Sequence, residues 1–79
     1  MNSKDIKAKL ETIGYFVSPN YGLIAEKSNL EYFIADIRKC EDSVFVPYIG
    51  KVTAEKTELM KTLAEQGIPF RNQHYKEED

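Results

Sequence analysis

The sequence predicts a small α+β domain, sandwich-like, with a mixed sheet flanked by two helices in the order α-β-β-β-(β)-α-β. Two stretches, residues 3–13 and 54–66, carry apolar residues at helical spacing. Between and after them lie short apolar runs that alternate with period two. Gly and Pro punctuate the junctions between these runs.

The first helix is marked by Ile6, Leu10 and Ile13, which stripe one face. Asn2 or Ser3 can cap its free N–H groups, and Asp5 suits the positive end of its dipole. Gly14 closes it. Tyr15-Phe16-Val17 reads as a short strand, and Ser18-Pro19-Asn20 as a turn. A second strand runs from Tyr21 to Lys27 and a third from Glu31 to Arg38, joined by Ser28, Asn29 and Leu30. A three-residue loop pairs Ala25 with Phe33, Ile24 with Ile34, Leu23 with Ala35, Gly22 with Asp36 and Tyr21 with Ile37. This register keeps apolar residues opposite one another.

Cys40 to Ser43 forms a polar turn. Val44 to Ile49 is a further extended run, and Pro47 predicts that it is short or at an edge. Thr53 is the N-cap of the second helix, in which Leu59, Met60, Leu63 and Ala64 face inward as core. Gly67 ends that helix, and Ile68 to Asn72 is the last strand, with Pro69 pointing to an edge or a strand start. Residues 1–73 are expected to form one domain, and 74–79 an acidic, flexible tail.

Composition narrows the function. The chain has 79 residues and a net charge of −2, which gives no overall attraction to nucleic acid, although 11 Lys and Arg allow local basic patches. The single cysteine, Cys40, forms no internal disulfide and is expected as a half-buried strand-end residue in a reducing interior. No apolar run reaches the roughly 18 residues of a membrane span, and the charged start MNSKDIKAKL is unlike a signal peptide. A cytoplasmic location is expected. One histidine, His74, and one cysteine make neither a zinc site nor a Ser-His-Asp triad. The lysines of both helices, Lys4, Lys7, Lys9, Lys51, Lys56 and Lys61, read as solvated faces. Most aromatics are expected in the core, with Tyr32 and Tyr48 as an exposed, partner-facing patch.

Four stretches carry a resemblance: Gly14-Tyr15, Tyr21-Gly22-Leu23-Ile24-Ala25, Ile34-Ala35-Asp36-Ile37-Arg38, and Val52-Thr53-Ala54-Glu55-Lys56 running on to Gly67-Ile68-Pro69. Their order resembles the PD-(D/E)XK nuclease core, and within it the small phage and VRR-Nuc branch. In that family a strand-2 Asp and a strand-3 acid hold a divalent metal, and a Lys two residues on orients the attacking water. Oxygen ligands of this kind suit Mg²⁺. The resemblance therefore implies a metal site at the positions of Gly22, Asp36 and Arg38, but only Asp36 keeps a carboxylate. Arg38 stays protonated and cannot act as a base. Lys56 stands where the family often has Gln. Glu26 lies about 13 Å along the strand from Gly22, too far to share an ion with Asp36.

The expectation is a non-catalytic interaction protein on a nuclease-like scaffold, without cofactor. A phage or mobile-element accessory that inhibits a host nuclease or defence complex fits the resemblance. Its binding residues are expected among Arg38, Lys39, Lys56, Tyr32 and Tyr48, with a protein partner and a homodimer through the last strand. The alternatives are a Mg²⁺-dependent nuclease, with Asp36 as the metal ligand, and a nucleic-acid-binding module without catalysis. A plain surface ion pair is the other reading of Asp36 and Arg38.

Overall fold

A computed structural model describes residues 1–75. Asn2 caps the first helix: Asp5 N donates to its side-chain oxygen at 2.9 Å. Thr53 caps the second in the same way, accepting from Lys56 N at 3.3 Å. The elements run α1 (Ser3–Ile13), β1 (Tyr15–Val17), β2 (Leu23–Glu26), β3 (Phe33–Arg38), β4 (Ser43–Ile49), α2 (Ala54–Glu65) and β5 (Phe70–Tyr75).

Strands β1 to β4 form an antiparallel meander. Helix α2 then carries the chain back so that β5 lies parallel to β4, and the sheet order is β1-β2-β3-β4-β5. The fold is thus α+β, with two helices and a mixed five-stranded sheet. Among the described residues, no helix is long and apolar enough to cross a membrane.

Both helices serve the same sheet face. Ile37 pairs with Val44, and Ile24 pairs with Ala35, so these residues and Val46 share one side. They form a single cluster with Ile6 and Leu10 of α1 and Leu59 and Leu63 of α2. Paired and alternating positions put Leu23, Asp36, Arg38, Phe45 and Arg71 on the other face. Ala25 and Phe45 of that face are buried but stand outside the helix-covered cluster.

The β2–β3 register departs from the sequence expectation. Ala25 does pair with Phe33, but Ile24 pairs with Ala35 and Leu23 with Asp36. Ile34 is the extra residue of a β-bulge. The bulge lets Ile34 and Ala35 both join the core cluster, which strict alternation forbids. Beyond it every pairing slips by one, so Gly22 meets Ile37 rather than Asp36, its carbonyl accepting from Ile37 N at 2.9 Å.

Other expectations are corrected by position. Pro47 lies in the longest strand, inside the sheet rather than at its edge. Val44 N donates to Pro69 O on the β5 side, so alternation turns the position-47 nitrogen toward β3. The β3–β4 ladder has already ended at Asp36 and Phe45, and the missing N–H costs no ladder bond. Strand β5 begins at Phe70 rather than Ile68 and runs past Asn72 through Gln73 to His74 and Tyr75, the last two of which were expected in the tail; parallel pairing with β4 carries it on to Tyr75. The rest of the tail lies outside the described residues. Ile13 and Ala64 are exposed: Ile13 is the last residue of α1, and Ala64 lies one position, about 100°, round α2 from fully buried Leu63. Phe33 and Phe70 are also exposed, and Cys40 is exposed in the β3–β4 turn rather than half-buried.

Candidate functional site

Asp36 and Arg38 project from alternate positions of β3 onto the face without helices. Arg38 Nε lies 2.9 Å from Asp36 Oδ1, but its N–H is out of line for a hydrogen bond. The pair is therefore mainly a Coulombic contact. The cross-strand partners of Asp36 are Leu23 and Phe45, neither of which offers a ligand. Burial raises the Asp36 pKa above the ordinary carboxylate value, and the neighbouring Arg38 charge only partly offsets this.

Phe45 organises the same face. The Arg38 guanidinium carbon lies 4.0 Å from its ring centroid and that of Arg71 lies 5.3 Å away. Arg71 Nη2 also meets Glu41 Oε1 at 3.0 Å, and Ser43 Oγ donates to the other Glu41 oxygen at 3.4 Å. The two guanidinium groups shield the ring, which is only 3% exposed although no helix covers it. Sequence reasoning missed Phe45, Glu41 and Arg71 as a unit. Glu41 and Arg71 are 30 residues apart, and only the parallel pairing of Phe45 with Arg71 joins them.

Gly22 takes no part in this arrangement. Its φ is +65°, and an added Cβ would come within 3.3 Å of Ile37 Cβ and Ile37 O. The glycine is required by the backbone and by close approach to Ile37. A carboxylate there would point to the helix-covered face, away from Asp36. The expected juxtaposition of Gly22 with Asp36 is thus overturned by the bulge. Glu26, two positions from Ile24, also belongs to the helix side. Among the described residues, no three His, Cys, Asp or Glu side chains converge as a metal-binding group.

A second location gathers three of the expected binding residues. Tyr32, Tyr48 and Lys56 line one cleft of ≈ 370 Å³, together with Lys51 and Tyr75. The end of β4, the start of α2, the end of β5 and the approach to β3 meet here. Lys56 Nζ donates to Pro47 O, which fixes its stem across the cleft floor. Tyr48 packs against His74 with ring centroids 5.1 Å apart. Among the described residues, the lining includes two lysines and no carboxylate. Lys51 and Tyr75 were not foreseen at this site; their basic and aromatic character was legible, but not their meeting.

Lys39 lies elsewhere. It follows Arg38, so it turns to the opposite side, where it lines a ≈ 200 Å³ hollow with Gly22, Ile37, Lys4 and Lys7. Its Nζ reaches Asn20 O at 3.5 Å. The expected binding set thus divides into Arg38 on the open face, Tyr32, Tyr48 and Lys56 at the cleft, and Lys39 apart from both.

Comparison of the chain with protein-family models, with curated proteins and with solved structures finds no match.

Proposed function

We propose that this chain is a non-catalytic interaction protein that binds a protein partner at the cleft formed by Tyr32, Tyr48 and Tyr75. The observation that carries the reading is the composition of that cleft: exposed or half-buried tyrosines beside Lys51 and Lys56, with no acid lining it among the described residues. Tyrosines give contact area at low entropic cost, and the lysines favour an acidic partner segment. The surroundings of Asp36 support the same reading. It is a single carboxylate held against Arg38 and flanked by Leu23 and Phe45. In its finer form the reading places the chain on a nuclease-like scaffold, acting on a host nuclease or defence complex as a phage or mobile-element accessory.

The test compares wild type with the Tyr32→Ala/Tyr48→Ala double variant in affinity capture from source cells. Each captured partner is then purified and its binding measured directly. Loss of at least tenfold in affinity for the double variant, with unchanged folding by circular dichroism, is the expected result. DNA and RNA are incubated with the protein and Mg²⁺ or Mn²⁺ in parallel. Cleavage abolished by Asp36→Ala would replace this reading with a metal-dependent nuclease. Salt-dependent nucleic-acid binding weakened by Arg38→Ala or Lys56→Ala, without cleavage, would replace it with a nucleic-acid module.

A further inference from the structure

Strand β5 is the most exposed strand of the sheet. Every residue from Phe70 to Tyr75 is exposed, and among the described residues no strand pairs with that side. The opposite edge, β1, has only three residues. Edge strands of monomers are commonly blunted by lysine, by proline, by a bulge or by shortness. Phe70-Arg71-Asn72-Gln73-His74-Tyr75 has none of these. Its one formal charge, Arg71, is drawn inward toward Phe45 and Glu41, away from the edge.

The hydrogen-bonding direction of each residue follows from the ladder. Val44 N donates to Pro69 O, and Val44 pairs with Phe70. Bonding groups alternate along a strand, so positions 69, 71, 73 and 75 address β4. Phe70, Asn72 and His74 present their N–H and C=O groups outward.

We propose that β5 pairs antiparallel with β5 of a second copy, about a twofold axis through Asn72, to make one continuous sheet. A twofold that reverses the strand keeps the same sheet face forward, so opposed residues must share a face and the axis must pass through a residue. Centring on Asn72 matches all three outward residues: Asn72 meets its own counterpart, and Phe70 meets His74 of the second copy. About six main-chain hydrogen bonds result. On the helix-covered side the cross-strand pairs are Phe70 with His74 and Asn72 with Asn72. On the open side Arg71 faces Gln73. No like charges oppose each other, and each outer pair is aromatic, a favoured sheet combination. The interface is small, so association is weak and visible only as a concentration dependence. It is separate from the cleft reading, which stands or falls without it.

Sedimentation and light scattering across a wide concentration range test this on the full chain. A reversible shift from monomer to dimer is expected. Asn72→Lys sets two ammonium groups against each other at the axis and should weaken the dimer by about tenfold or more. Its side chain is exposed, so the monomer fold is retained. Asn72→Cys in a Cys40→Ser background locates the axis. A hydrogen-bonded antiparallel pair has Cα atoms about 5.5 Å apart, within disulfide range. Oxidation at concentrations where the dimer forms should therefore crosslink Asn72→Cys well above Ser3→Cys, a control on α1. A monomer at every concentration overturns the proposal. So does a dimer that is indifferent to Asn72→Lys and does not crosslink through position 72.

Discussion

The two faces of the sheet solve the same problem with different chemistry. On one, Ile24, Val44 and Val46 are sealed by Ile6, Leu10, Leu59 and Leu63, each of them 0% exposed. On the other, Phe45 is sealed by no helix. Arg38 and Arg71 lie over its ring, and Asp36 and Glu41 hold the two guanidinium groups in turn. The first face gains from transfer of aliphatic surface out of water, which needs volume but no particular geometry. The second gains from oriented cation–π contacts and keeps a charged, wettable exterior. A thin sheet with helices on one side only can in this way bury an aromatic residue on its other side, although Phe33, Ile49 and Tyr75 stay exposed toward the ends of that face.

The largest expected effect lies on the helix side. Leu59→Ala leaves a cavity under α2 and should cost about 2–5 kcal/mol, read from urea unfolding. In a domain this small such a loss approaches global unfolding. Phe45→Leu sharpens the contrast, because it keeps an apolar side chain but removes the aromatic face. Two cation–π contacts then fail, and the expected cost is about 1–2 kcal/mol. If Phe45→Leu proves as damaging as Leu59→Ala, the open face is an ordinary core and the contrast breaks.

The smallest effect is electrostatic. Burial raises the Asp36 pKa above its ordinary value of 3.8. The folded state therefore holds this proton to higher pH than the unfolded chain does. The stabilising contribution is present in full below the ordinary value and is lost as pH rises through the folded value. Asp36→Asn removes that titration. The stability of wild type minus that of the variant should accordingly fall between the two values as pH increases. A difference that rises with pH would mean that Arg38 pairing outweighs burial.

Much of the fold was legible in local sequence. Asn2 and Thr53 as caps, the extents of α1 and β1, the Ala25–Phe33 pairing and the glycine ends of both helices follow from a few neighbouring residues. Within the candidate site the acidic and basic pair on β3 was legible too, since positions two apart share a strand face. The position of Gly22 was not. Its register depends on whether the hairpin absorbs a bulge at Ile34, and simple alternation carries no sign of one. Pro47 misled for a related reason: its cost depends on where the neighbouring ladder stops, which Pro47 itself does not encode.

Sequence alone determined the helices, their caps, the strand-rich middle and the aromatic and basic inventory, because these depend on spacing and torsional preference over a few residues. Tertiary structure decided which of them meet. Pairing β5 beside β4 brought Arg71 over Phe45 and to Glu41, and set Tyr75 in a cleft with Tyr32, Tyr48, Lys51 and Lys56. Those meetings rest on the packing of segments distant in the chain, whose free energy is shared across the whole core and written in no single stretch of it.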